Sequence, residues 1–275
     1  MIAGLIAITF IYSSCKINNQ ETEPTRFGYI SGIVKNEIKD DWKTTLAKTV
    51  EYGFTEIEAV FAPDSTVSVE EVLTYCNEIG LKPIAGGINL TEDTTEAHEQ
   101  FKKLKQMNLQ YAVSWWPWHV SAPFKMEDCQ KSARMMNFMG KIARDEYDMQ
   151  LCWHNHDHEF NPMEEGTLPF DYLMQNTDPD LVKCEMDVYW VAKGGADPVE
   201  MLQKYPGRYG IIHLKDMNPT DSSITCVGNG NIDFPAILKE SKRQGIKHFF
   251  VEYDKVVNGL DCLKTAGEYL KTIKD

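Results

Sequence analysis

From Phe27 onward, strand-like apolar runs and amphipathic helical stretches alternate to the end of the chain. The strand-like runs fall at 27–30, 56–60, 82–88, 111–115, 149–153, 182–188, 210–214 and 248–252. Helical patterns lie between them, at 42–52, 69–79, 96–106, 128–144, 198–204, 234–244 and 260–273. Strands separated by helix-length crossovers cannot form hairpins, so each must lie parallel to the next, with the helix packed back across the sheet. Eight such units close naturally into an α/β fold, the (β/α)8 TIM barrel, at about 250 residues. The chain has 275 residues, 43% of them hydrophobic, which suffices for one such core over 27–275. A doubly wound open sheet is the alternative, but no GxGxxG follows the first strand. Gly53, Gly80 and Gly245 stand just past helical patterns, where helices end in a left-handed residue.

The segment before Phe27 does not share this pattern. Residues 1–14 form a short apolar stretch ending in Ser13 and Ser14, and Cys15 follows. This reads as a bacterial lipoprotein signal cleaved before a lipidated Cys15, with 15–26 as a polar tether. The expected location is therefore the periplasm or outer membrane, with membrane contact only through the lipid. Two features depart from a strong signal: no Lys or Arg precedes the apolar run, and Tyr12 replaces an aliphatic residue. A plain secretory signal is the alternative. Seven cysteines without a CxxC argue against a structural zinc knuckle and predict mostly buried free thiols, with room for one bridge. A net charge of −13 argues against nucleic acid and for a neutral or cationic small molecule as partner.

In a TIM barrel, chemistry gathers at the C-terminal ends of the strands. After the fifth predicted strand comes His154-Asn-His-Asp-His-Glu159. Alternation would send His154, His156 and His158 to one face, if the strand continued. In the sixth, Glu185 and Asp187 share parity and point inward; so do His213 and Lys215 in the seventh, and Glu252 and Asp254 at the eighth. A single strand-end His or Glu is usually structural. Four consecutive strands ending in His, Asp, His and Glu at one rim read as a metal site.

The segments 153–160, 185–191, 205–208, 213–216, 227–234 and 251–252 resemble the sugar phosphate isomerase/epimerase family of xylose isomerase-like TIM barrels. The resemblance runs from about Phe27 to the C-terminus and is densest after residue 150. It implies one divalent metal, manganese first and zinc, magnesium, cobalt or iron as alternatives, on a Glu, an Asp, a His and a Glu. Asp187, His213 and Glu252 match the last three. His154 stands where relatives often carry Glu, so the first ligand is His154, or else His156 or Glu159 reaches in. The family's epimerases pass a proton between two metal-bound Glu residues, and here one of those is missing.

The expected chemistry is removal of a proton beside a ketone, with its return or the loss of a leaving group. Glu252 is the candidate base, with His154 or His156 as partner. Lys215 would act as acid or stabilise an oxyanion, unless it is only a salt-bridge partner of Asp216. Glu185 would orient a ligand. Trp115, Trp116 and Trp118, extended by Tyr189 and Trp190, offer either a stacking platform for a sugar or a packed cap. The loop around Asn229 offers backbone N–H groups but no nearby Lys or Arg, which favours an unphosphorylated substrate. Three functions follow: an isomerase or epimerase of a free sugar or keto-sugar, a keto-glycoside lyase, or a non-catalytic carbohydrate-binding lipoprotein. Oligomeric state is not legible in the sequence.

Overall fold

The computed structural model describes residues 25–117, 123–254 and 258–273. The proposed signal, Cys15 and Trp118 lie outside the described residues. No described helix is long and apolar enough to cross a membrane.

Eight parallel strands close into a barrel: β1 (Phe27–Ile30), β2 (Glu56–Glu58), β3 (Lys82–Gly87), β4 (Tyr111–Ser114), β5 (Gln150–His154), β6 (Val182–Asp187), β7 (Tyr209–Leu214) and β10 (His248–Val251). β10 pairs with both β7 and β1 and so shuts the sheet. The expected TIM barrel is therefore the fold. The helices ring it: α1 (Lys35–Tyr52), α2 (Val69–Glu78), α3 (Thr94–Gln106), α4 (Met126–Tyr147), α5 (Pro169–Asn176), α6 (Val188–Lys193), α7 (Pro198–Lys204), α8 (Phe234–Arg243) and α9 (Gly259–Leu270). A large apolar layer lies between sheet and helices, with Phe54, Phe101, Trp153, Phe170 and Phe249 fully buried in it. A smaller cluster fills the barrel itself, from Ile84, Val113, Cys152, Ile211 and Phe250. Above this plug the interior becomes polar.

Local chemistry sets the boundaries. Ser68 and Glu71 form a capping box that starts α2, and Asp93 accepts from the Glu96 N–H to start α3. Gly53, Gly80 and Gly245 all take positive φ, as helix-ending glycines do. The sequence predicts the first helix from residue 42; α1 is kinked there, with Asp41 non-helical and accepting from the Thr44 N–H. β6 stops one residue short of the prediction because Asp187 caps α6, accepting from the N–H groups of Tyr189 and Trp190. The short α5 and α6 and a two-stranded hairpin, β8 (Asp216–Met217) with β9 (Ile224–Thr225), are not apparent in the periodicity.

The cysteines follow the expectation. Cys76, Cys129, Cys152 and Cys184 are buried free thiols, and one bridge joins Cys226 to Cys262. That bridge ties the loop after β9 to α9.

Candidate metal centre

The upper interior of the barrel holds Glu58 from β2, His154 from β5, Glu185 and Asp187 from β6, His213 and Lys215 at β7, and Glu252 just past β10. All but Glu252 are essentially buried, and its side chain is only 12% exposed. Each arrives by strand parity: Glu185 with Asp187, and His213 with Lys215, are pairs two residues apart that point to the axis.

Each histidine has a carboxylate behind it. His154 Nδ1 lies 3.0 Å from Glu185 Oε2, which leaves its Nε2 facing Asp187 Oδ2 at 3.7 Å. His213 Nε2 lies 2.8 Å from Glu58 Oε2 and 3.3 Å from Glu185 Oε1, while its Nδ1 faces Glu252 Oε2. Carboxylate–imidazole pairs of this kind fix tautomer and orientation in metal sites. Lys215 Nζ lies 2.9 Å from Asp187 Oδ2, 3.1 Å from Glu252 Oε1 and 3.1 Å from Asp254 Oδ2.

His154, Asp187, His213 and Glu252 each offer one ligand atom, and these atoms lie within 4.8 Å of one another. Two carboxylate oxygens and two imidazole nitrogens suit a divalent zinc- or manganese-like ion. Buried oxygens with unmet demand point the same way. Asp187 Oδ2 and Glu185 Oε1 touch cationic groups but have no aligned hydrogen bond. The residues present therefore fit the group. Glu58, Glu185 and His213 form a second close set, but its atoms are those that brace the histidines from behind.

Burial and neighbours pull the acidities apart. Burial pushes Asp187 up to about 7, against the pull of Lys215, and Glu185 up to about 8, with Glu58 adding repulsion. Burial would also raise Glu252, but Lys215 and then His213 outweigh it and hold this carboxyl well below its ordinary value. Burial disfavours the Lys215 ammonium, yet Asp187, Glu252 and Asp254 more than compensate and raise it. One carboxylate thus stays ionised beside one firmly protonated amine.

The remaining candidates separate. His156 does not join the ligand set: its ring stacks on Trp116 at 3.9 Å and 5°, and burial lowers its pKa to about 3. Glu159 is also outside the set, accepting from the His156 N–H at 2.9 Å and capping a short 3-10 turn. That turn begins at Asp157 and breaks the alternation, so His158 pairs with Asp157 instead of facing the axis. Lys215 has no salt bridge to Asp216. The Asp216 carboxylate instead accepts from the N–H groups of Gly228, Gly230 and Ile232, in a cradle where a Cβ on Gly230 would fall 2.2 Å from Oδ1. The loop's anion-binding groups are therefore taken by the chain's own carboxylate, and Asn229 is exposed with no hydrogen bond to the buried cluster.

The tryptophans divide as well. Trp115 packs inward: its Nε1 donates to Glu58 Oε1, and its ring fills the space a Cβ on Gly87 would need. Trp116 is 48% exposed, the one large exposed hydrophobic among the described residues. Trp190 leans on His156 at 5.4 Å and roofs Lys215, whose Nζ is 5.0 Å from the ring centroid. Sequence reasoning missed Glu58. Its signal was the pair Glu56 and Glu58, two charges of one parity in a three-residue strand.

A family profile described as xylose isomerase-like TIM barrel matches residues 46–272. An inosose dehydratase from Clostridium botulinum (strain Eklund 17B / Type B) is 29% identical over 169 residues, 54% of this chain and 55% of that protein. The chain thus spans about half the length of the curated relatives it matches. A sugar phosphate isomerase/epimerase from Parabacteroides distasonis ATCC 8503 superposes with a TM-score of 0.74 at 21% identity, covering 96% of this chain and 100% of the other. The IOLI protein with a bound zinc atom superposes with a TM-score of 0.67 at 16% identity, covering 90% and 98%. At these identities the superpositions carry the fold.

Proposed function

The chain belongs to the xylose isomerase-like TIM barrel family, and from that premise we propose that it is a divalent-metal-dependent enzyme that eliminates a leaving group β to the ketone of an unphosphorylated keto-sugar or keto-polyol. His154, Asp187, His213 and Glu252 would hold the ion, manganese first, with zinc, magnesium, cobalt or iron as alternatives. Such an ion polarises the ketone and its neighbouring hydroxyl, which acidifies the intervening C–H.

The observation that carries this reading is the pairing of Glu252 with Lys215 at 3.1 Å, one ionised and one protonated. Glu252, at the accessible edge of the cluster, takes the α-proton. The C–H electrons form a C=C bond as the C–O bond on the next carbon breaks. Lys215 supplies the proton to the departing oxygen, and its contact with Glu252 gives the captured proton a path back. The family's epimerases pass the proton between two metal-bound Glu residues, and where relatives often carry the first of these stands His154, whose Nδ1 is already paired with Glu185. The dehydratase chemistry in the name of the Clostridium relative supports the same choice. The exposed Trp116, backed by His156, offers a flat face for a sugar or polyol ring. Occupation of the Gly228–Gly230 amides by Asp216 supports a substrate without phosphate.

Isomerisation or epimerisation is the second reading, favoured by the family's proton-transfer chemistry, three of whose metal ligands Asp187, His213 and Glu252 match. Metal-loaded protein incubated with keto-polyols and keto-glycosides in deuterated water separates the two. Elimination gives an unsaturated ketone in the NMR spectrum, with loss of water from a keto-polyol or release of the glycosyl substituent as a hydroxyl compound from a keto-glycoside. Deuterium at the α-carbon of an intact skeleton would assign the isomerase instead.

We place this activity outside the cytoplasm, lipid-anchored at Cys15. The Cys226–Cys262 bridge supports an oxidising compartment. Radiolabelled fatty acid should enter the wild-type chain in cells and not Cys15→Ala; equal labelling would remove the anchor.

A further inference from the structure

Lys215 touches three carboxylates, and two of them belong to the proposed ligand set. The contacts differ in kind. Those to Asp187 and Glu252 are close charge contacts, whereas the ammonium donates an aligned hydrogen bond to Asp254 Oδ2 at 3.1 Å. Asp254 lies two residues past Glu252, shares its face and is not in the ligand set. Its carboxylate is 47% exposed at the rim, while the lysine it holds is buried.

A divalent ion and an ammonium compete for the same oxygens. Like charges a few ångströms apart in a buried site repel strongly. The lysine therefore needs an anchor that the metal does not use. We propose that Asp254 is that anchor: a positioning residue that, with the Trp190 ring 5.0 Å from Nζ, holds Lys215 beside the metal's carboxylates and aims its proton at the substrate. The inference rests on the metal centre proposed above. It explains why a rim carboxylate with no place in the ligand set reaches the site's buried lysine. The plainer account is a half-exposed surface ion pair, which contributes little.

The two accounts differ in coupling. Manganese affinity is measured by titration calorimetry for wild type, Asp254→Asn, Asp254→Glu, Lys215→Met and the double variant Lys215→Met/Asp254→Asn. Without its anchor, Lys215 is held only by Asp187 and Glu252, whose oxygens the metal also needs, so Asp254→Asn should weaken binding about tenfold or more. Asp254→Glu should stay within about threefold of wild type, and the Asn substitution should have almost no effect once Lys215 is Met. Wild-type affinity in Asp254→Asn overturns the inference. So does an equal loss in both Lys215 backgrounds, which would be the long-range effect of one charge. If the wild-type chain binds no metal, the metal centre itself fails and this inference with it.

Discussion

Two glutamates stand two residues apart on β2, and both point into the barrel. Glu56, in the lower layer, meets His248 Nδ1 at 2.9 Å, and Tyr111 packs its edge on that imidazole at 5.2 Å. The lower layer is a closed pair, one acid with one base. Glu58, one layer up, meets His213 at 2.8 Å, but His213 is also claimed by Glu185 and Glu252. The upper layer holds the carboxylates of Glu58, Glu185, Asp187 and Glu252 against one lysine and two imidazoles. Buried like charges are costly unless something neutralises them. The same His–Glu chemistry is therefore structural below and unfinished above, and the surplus negative charge is what a divalent ion would balance.

The sharpest way to break this contrast is to remove a ligand above. Asp187→Ala should lower metal affinity by more than about 100-fold and abolish turnover, measured by bound-metal analysis and product NMR. Stoichiometric metal in that variant would remove Asp187 from the site. The matched pair on β2 comes next. Glu58→Gln should weaken metal binding by roughly 10–100-fold, because it frees His213 to turn. Glu56→Gln should leave metal content unchanged and cost about 1–3 kcal/mol of stability in denaturant unfolding. Equal effects from the two would erase the distinction between layers.

A pH titration tests the upper layer more gently. Burial pushes Asp187 to about 7 and Glu185 to about 8, so protons compete with metal below those values. Affinity measured by calorimetry should rise from pH 6 through about pH 8, and His213, whose cation burial disfavours but Glu185, Glu58 and Glu252 stabilise more strongly, extends the rise to higher pH; a flat profile would contradict the unmet charge. The smallest effect is expected at Glu159, which the structure sets apart from the ligands. Burial raises this carboxyl from 4.5 to about 8, so the folded state holds its proton more tightly than the unfolded chain. The stability it contributes is fully present below about pH 4.5 and is lost as pH rises through 8. Glu159→Gln should flatten that decline in thermal melts, with metal binding nearly unchanged.

Much of this architecture was legible in the sequence. Period-two and period-3.6 patterns separate cleanly in a barrel, because each strand is covered by its helix. Parity placed Glu185, Asp187, His213, Lys215 and Glu252 toward the axis without coordinates. Legibility ended where contacts depend on strand order or a local turn. Glu58 reaches His213 only because β2 and β7 face each other across the closed barrel, 155 residues apart in sequence. Asp216 was a natural partner for its neighbour Lys215, yet alternation turned it outward to the amides of residues 228–232. The 3-10 turn at Asp157 removed His158 from a face that strand parity would have given it. The Cys226–Cys262 pairing follows from how α9 packs, and no spacing rule encodes it.

The most direct test of the layered account is an anomalous-difference map from crystals soaked in manganese. The account predicts one peak in the upper layer, about 2.0–2.3 Å from atoms of His154, Asp187, His213 and Glu252, and none at the Glu56–His248 pair. A peak ligated by His156 or Glu159 in place of His154, or no peak in the upper layer, would contradict it.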